Sequence, residues 1–408
     1  MAWVRVLISA CFALSSLVLA RENDAKLYLV SVKADTAQQR SQIADVGVAL
    51  DGIFSDSVTF IGTDADINRV HQLGFALERT ELPERMVDDF PSSDNAFHNY
   101  AETNAVLDQL VSQHPDIVSK HVIGQSVEGR DINGIRISSS AAVDALPTAI
   151  FIGCHHAREH LSVEVPLMLA QYLVAQYDSN PRVKEMVDTR EIWVVPMLNP
   201  DGAEYDISSG SYKWWRKNRR QNSGSSYGVD LNRNYGKGFG GPGSSSSPNS
   251  DTYHGPSAFS EPETAAVRDF VRARNKTTVL LSFHTFSELV LWPWGHTEDL
   301  ISDAKDRSVF ETMGRKMASW NRYTPQKSSD LYVASGDTTD WAYDELKIFA
   351  FTFELSPSSL FGGGFYPGAS AIQPTFTENL EPTLYLIENA ADPYGVLNAD
   401  VTDPLGIL

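Results

Sequence analysis

Residues 148–160 read TAIFIGCHHAREH, an apolar run broken at once by three histidines, an arginine and a glutamate. The run is too continuous in its hydrophobicity to keep one face in water, which places it inside a covered, largely parallel sheet. EIWVVPMLN (191–199), TTVLLSF (277–283) and IFAFTFEL (348–355) have the same character. With longer helical patterns between them, they predict, from about residue 97 onward, an α/β unit: a mixed, mostly parallel central sheet flanked by helices. Ligand sites in open sheets of this kind gather beyond the carboxyl ends of the strands. The residues that follow the apolar runs, HHAREH, NPDG, HTF and ELS, are therefore where chemistry is expected.

Upstream of this unit the pattern is different. KLYLVSVKAD alternates like a strand, TAQQRSQIADVG has helical spacing, SVTFIGT is strand-like, and DINRVHQLGF with LERTEL suggests a helix and a last strand. These make a small α+β unit within 21–84. Residues 1–20, MAWVRVLISACFALSSLVLA, have the early arginine, apolar stretch and small-residue end of a secretory signal, so an exported protein is expected. Residues 85–96 carry proline, serine and acidic residues in place of apolar periodicity and read as a processing linker, with Arg85 as an available cleavage point. Residues 393–408 form a tail to which no motif assigns a role.

Composition narrows the partners. The net charge of −19 argues against nucleic acid or an anionic membrane as a general partner, although KWWRKNRR (213–220) is a local basic cluster. Of the two cysteines, Cys11 lies in the signal and Cys154 ends an apolar run, so no internal disulfide is expected and Cys154 reads as a buried small hydrophobe. GKGFGGPGSSSSPNS (236–250) lacks the lysine–serine ending of a phosphate loop and reads as a surface loop.

A catalytic zinc site needs about three His or carboxylate ligands and one open position. His156 and Glu159, separated by two residues in HHAREH, with His284 at another strand end, supply such a set. His156 with His160 is a competing pair, but the zinc-protease helix motif requires glutamate directly after the first histidine, where this chain has Ala157. Glu354, at the end of IFAFTFEL, is a candidate general base or a paired acid. Arg216 and Arg233 are candidates for gripping carbonyl and carboxylate oxygens, or plain solvated charges.

HHARE, WRKNR, GVDLNRNY, SFHTFSELVLWPWG, DLYVASGDTTDWAY and FTFEL occur in one order along the chain. In that order and spacing, from FHNYAE at 97 to NLEPTLYLIENA near 390, the sequence resembles zinc metallocarboxypeptidases of the carboxypeptidase A and B kind. HHAREH and SGDTTDWAY look closer to the bacterial carboxypeptidase T branch. The resemblance implies one Zn2+ held by His156, Glu159 and His284, with Asp230 behind His156. It further implies Glu354 as general base, Arg216 as oxyanion stabiliser, Arg158 facing the substrate cleft, Asn232 and Arg233 on the terminal carboxylate, and Tyr332 closing over the substrate.

The same likeness places Leu291, Gly295, Leu331, Ala334, Asp337, Thr339 and Thr352 around the pocket for the last side chain. Leu291, Leu331 and Ala334 are apolar and Asp337 is acidic, so mixed apolar and basic preference is expected. The catalytic unit spans 97–392, and the α+β unit takes the place of an inhibitory pro-domain released by an activating protease. Thr285 and Phe286 depart from the family's serine and tyrosine, and Pro166 is expected to bend or restart the helix after HHAREH. Retention of Glu354 speaks against an inactive peptide-binding relative. Arg233 together with Tyr332 speaks for peptide C-termini over small acylated amino acids. Lys217, Arg219 and Arg220 are expected to be surface charges.

Overall fold

The computed structural model describes residues 26–54, 56–81, 89–91, 93–208 and 212–399. The signal at 1–20, Arg85 and the end of the tail at 400–408 lie outside the described residues.

Alternating apolar residues build the N-terminal unit from β1 (Tyr28–Lys33), α1 (Ala37–Asp45), β2 (Gly52–Ile53), β3 (Ser57–Gly62), α2 (Asp64–Gln72) and β4 (Leu77–Glu81). The sheet runs in the order β2-β3-β1-β4, with every pairing antiparallel. Val30, Val32, Val58 and Phe60 from the strands close a core with Ile43, Ile67 and Val70 from the helices. Thr36 and Thr63 begin the two helices with capping boxes, each satisfying backbone N–H groups that the first turn leaves without partners.

The second unit opens with α3 (Tyr100–Gln113), β5 (Val118–Gln125), β6 (Asp131–Ile137), β7 (Thr148–Ile152), α4 (Leu161–Gln176), α5 (Pro181–Thr189), β8 (Glu191–Val195) and α6 (Pro200–Ile207). After a mostly irregular stretch come α7 (Pro262–Arg272), β9 (Thr277–Thr285), β10 (Leu289–Trp292), α8 (Ala304–Asn321), β11 (Thr324–Lys327), α9 (Thr338–Leu346), β12 (Phe349–Leu355) and α10 (Ile372–Asn389).

Its eight-stranded sheet has the order β11-β10-β12-β9-β7-β8-β6-β5. The four apolar runs are the adjacent strands β12, β9, β7 and β8, mutually parallel. Antiparallel strands flank them on both sides. Continuous hydrophobicity is explained by the two faces. Phe151, Val194, Leu281 and Phe351 point into a core with α4, α5, α8 and α10, while Ile150, Trp193, Leu280 and Ala350 point into another with α7 and α9.

Two expectations change. Helix α4 is continuous through Pro166 and does not restart. Pro166 has no N–H to donate to the Ser162 carbonyl, and that carbonyl stands where a Cβ on residue 153 would be, a place only Gly153 leaves free. The stretch 236–250 is a surface loop, as expected, with only Gly243 and Ser250 buried, and it also touches the N-terminal unit: Asp45 Oδ1 accepts from Gly243 N–H at 2.8 Å, and the Ser250 hydroxyl donates to the Gly47 carbonyl. Of the linker, residues 85–88 and 92 lie outside the described residues, but Phe90 is 6% exposed, packed on Phe97 and His160, and Asp94 accepts from Tyr212 OH at 2.8 Å. The aromatic surface of the second unit binds this stretch down. At the other end, Tyr394 OH donates to Asp306 at 2.6 Å and ties the start of the tail to α8.

Candidate active site

At the carboxyl end of β7 the chain turns through Cys154, which has a left-handed φ of 56°, and lays out His155 to His160 before α4 begins. Cys154 is fully buried, and burial pushes its thiol far above the ordinary range, which makes it inert packing. The neighbouring strands β9 and β12 pair in parallel with Glu354 opposite His284. Sheet register therefore brings a carboxylate from one apolar run beside a histidine from another.

His156, Glu159 and His284 converge, with their ligand atoms all within 4.8 Å of one another. His156 Nδ1 lies 2.8 Å from Glu159 Oε1. His284 Nδ1 lies 3.0 Å from Glu159 Oε2 and 3.2 Å from His156 Nδ1. Two imidazole nitrogens facing each other beside a carboxylate, all buried, form a donor set that fits a zinc ion. The Thr285 N–H donates to Glu159 Oε2 at 3.2 Å and fixes the carboxylate. Behind His156, Asp230 Oδ1 lies 3.1 Å from Nε2 and also caps Asn232 N–H at 2.9 Å. That contact puts the proton of His156 on Nε2 and leaves Nδ1 free to ligate.

Burial alone would raise Asp230, but Arg216, His156 and Arg233 around it hold its carboxyl well below the usual range. Arg216 Nη2 is 3.0 Å from Asp230 Oδ2, which aims the guanidinium at the same cleft. Glu354 is shifted the other way: burial, and then the negative charge of Glu159, raise it well above an ordinary glutamate. A divalent cation held by the triad acts in the opposite sense on this group.

The cleft holds every residue expected around the metal and the terminal side chain except Arg158 and Asp230, which stand behind it. His156, Glu159, His284, Glu354, Arg216, Asn232, Arg233 and Tyr332 line one cavity together with all seven expected pocket residues. Asp337 does two things there. Its Oδ1 caps α9 by accepting from Asp340 N–H and the Thr339 hydroxyl, each at 2.8 Å. Its Oδ2 occupies the space where Gly295 has no side chain, since a Cβ there would sit 2.7 Å away.

Sequence reading missed several groups. Leu50, Asp51 and Ile53 of the N-terminal unit line the same cavity, whose volume is about 80 Å3. Asp51 pairs with Arg158, which is fully buried, lies 4.4 Å over the Phe365 ring and does not face open cleft. Lys217 is no surface charge: it is 3% exposed, donates to the Pro248 and Ser250 carbonyls at 2.9 Å each, and burial lowers its ammonium to about 8. Arg219 stacks 3.6 Å over Tyr205. A cation's burial depends on carbonyls and rings distant in sequence, and no local pattern carries that.

A family model described as zinc carboxypeptidase matches residues 103–382. The chain is 37% identical over 365 residues to a zinc carboxypeptidase of Saccharothrix mutabilis subsp. capreolus, covering 84% of each chain. It is 35% identical over 307 residues to carboxypeptidase A2 of Mus musculus, covering 73% of this chain and 72% of that one. The crystal structure of carboxypeptidase A from Helicoverpa armigera shares the fold, with a TM-score of 0.76 at 24% identity over 91% of this chain and 98% of that one.

Proposed function

The chain belongs to the zinc carboxypeptidase family and is a zinc-dependent metallocarboxypeptidase, and from that premise we propose a secreted pro-enzyme that removes single C-terminal residues with apolar or basic side chains. The observation that carries the exopeptidase reading is Arg233. Three arginines at or behind the cleft are buried; Arg158 is paired with Asp51 and Arg216 with Asp230. Arg233, 3% exposed, forms no direct ion pair among the described residues; its hydrogen bonds go to Gly243 O at 2.9 Å, Asn232 O at 2.7 Å and Tyr332 OH at 3.2 Å, and the carboxylates of Asp230, Asp337 and Glu354 act on it only from farther off. A buried guanidinium with no directly paired carboxylate keeps donor capacity for an incoming anion. A substrate's terminal carboxylate neutralises it, whereas an internal residue offers only an amide.

Zinc, when bound by His156, Glu159 and His284, supplies Lewis-acid polarisation beside the scissile carbonyl. Glu354 takes a proton from the attacking water and passes it to the leaving amine. Arg216, held by Asp230, stabilises the oxygen on which negative charge develops. Tyr332 closes against the substrate beside Arg233. The Asp337 carboxylate receives a cationic side chain, and Leu291, Leu331 and Ala334 receive an apolar one.

The inhibitory cover is supported by contacts from α1 and the segment after it. Arg40 donates to the Leu331 carbonyl at 2.6 Å, Val333 N–H donates to Ser41 at 3.1 Å, and Asp51 takes Arg158. The first two contacts lie on the segment that carries Tyr332, and the cavity, about 80 Å3, is below the usual size of a ligand pocket. Among the described residues no helix is long and apolar enough to cross a membrane. The deciding experiment offers the trimmed protein a blocked dipeptide and the same dipeptide with an amidated end, with and without a zinc chelator. Hydrolysis of the free acid alone, abolished by chelator, is expected; equal rates on acid and amide would sink the role of Arg233.

A further inference from the structure

His155 is fully buried next to two metal ligands, yet it takes no part in the triad and has no role in the reaction above. Its partners define one. A metal-ligating histidine ordinarily gives its distal N–H to a carboxylate or backbone carbonyl. His156 does so with Asp230, but the distal nitrogen of His284 does not: Nε2 is 3.0 Å from the Ser282 hydroxyl and 3.5 Å from Asn232 Nδ2.

The proton positions follow from one fixed point. The Thr338 backbone N–H can only donate, and it lies 3.0 Å from the oxygen of the Asn232 amide, which settles the amide's orientation. The Thr338 hydroxyl, also 3.0 Å from Asn232 Oδ1, must then donate to it, so its own oxygen accepts. His155 Nε2, 2.9 Å from that oxygen, carries the proton. The Tyr235 hydroxyl lies 2.9 Å from the same nitrogen. His155 Nδ1 is therefore a bare acceptor and takes the Ser282 hydroxyl proton at 3.2 Å. The Ser282 oxygen is left to accept from His284 Nε2–H, and His284 presents its bare Nδ1 to the triad. The rings of His155 and His284 lie nearly parallel with centroids 5.3 Å apart.

We propose that His155 is a positioning residue which, through Ser282, holds His284 in the orientation and tautomer that ligates zinc. The inference rests on His156, Glu159 and His284 being the zinc ligands. One ligand histidine is thus backed by a carboxylate and the other by a neutral hydroxyl–imidazole chain. The chain is anchored on Asn232, a residue assigned above to the substrate carboxylate, and so joins the two halves of the site.

The test uses the full-length zinc protein and measures zinc affinity by chelator competition, with the visible spectrum of the Co2+-substituted protein as a second readout. His155→Phe fills the space without an acceptor, and its zinc affinity is expected to fall about 10- to 100-fold, the usual effect of losing an outer partner, with an altered Co2+ spectrum. His155→Gln offers a carbonyl to Ser282 and an amide N–H to Thr338, and should recover most of the affinity. Ser282→Ala should reproduce the loss, and the double variant with His155→Phe should lose no more than either alone. Wild-type affinity and spectrum in folded His155→Phe overturn the proposal, as does failure of His155→Gln to rescue. If His155→Phe does not fold, Ser282→Ala decides: unchanged affinity overturns it. His284→Ala separates the two levels. Stoichiometric zinc in that variant removes the ligand assignment itself, whereas zinc lost there but unchanged in the His155 and Ser282 variants removes only the positioning role.

Discussion

Glu354 faces His284 across two parallel strands, and its charge state depends on burial, on Glu159 and on whatever cation the triad holds. Glu354→Gln keeps shape and hydrogen bonding but cannot shuttle a proton. Zinc content and KM should stay near wild type while kcat falls by at least about 100-fold; near-normal turnover would place the base elsewhere. Asp337 gives a pH signature. Burial, then Asp340, pushes its carboxyl up to about 7, above an aspartate's unfolded value of about 3.9. Its protonation therefore contributes stability in full below the unfolded value, and that contribution is lost as pH rises through about 7. Substrate selection has the opposite sign, because only the ionised form pairs with a cation. The ratio of kcat/KM for Arg-ended over Leu-ended peptides should rise as pH passes about 7, and Asp337→Asn should flatten it. A ratio that ignores both pH and mutation would leave Asp337 as the cap of α9 alone.

Between strand and helix, the turn after β7 tolerates little. A methyl on residue 153 would stand 1.9 Å from the Ser162 carbonyl and 2.7 Å from the Pro196 carbonyl, both backbone atoms that cannot swing aside. Gly153→Ala should destabilise the protein by about 3 kcal/mol or more in urea unfolding, at the upper end of overpacking costs. Segment 46–53 makes a second prediction. Asp51→Ala leaves Arg158 buried without its main partner only while the N-terminal unit is docked, with Asp251 Oδ2 still 3.8 Å away. Breaking a buried pair costs about 3–5 kcal/mol, so the uncleaved variant should hydrolyse small peptides faster than the uncleaved parent. Equal rates would show that the pair does not hold the cover down.

The two units meet over the cleft, and activation is expected to require separating them. Phe90 and Asp94 are packed on the second unit, so the activating cut should fall before Asp89 and the mature chain should begin upstream of Phe90. N-terminal sequencing of the active product checks this; a product starting beyond Phe90 contradicts it. Full-length and trimmed protein that act equally well on a small peptide would remove the inhibitory role altogether.

The four buried strands were legible along the chain because continuous hydrophobicity is a local property, and the residues beyond their ends were where the ligand set gathered. Spacing offered the triad, Glu354 and Arg233 as candidates, and the family resemblance implied their roles and the pocket walls. Asp51 against Arg158, the burial of Lys217, and the chain from Asn232 to His284 were not legible. Each joins polar groups far apart in sequence, and what a buried charge or imidazole does is set by the partners that replace its water. Those partners are chosen when the sheet, the 236–250 loop and the N-terminal unit close on one another.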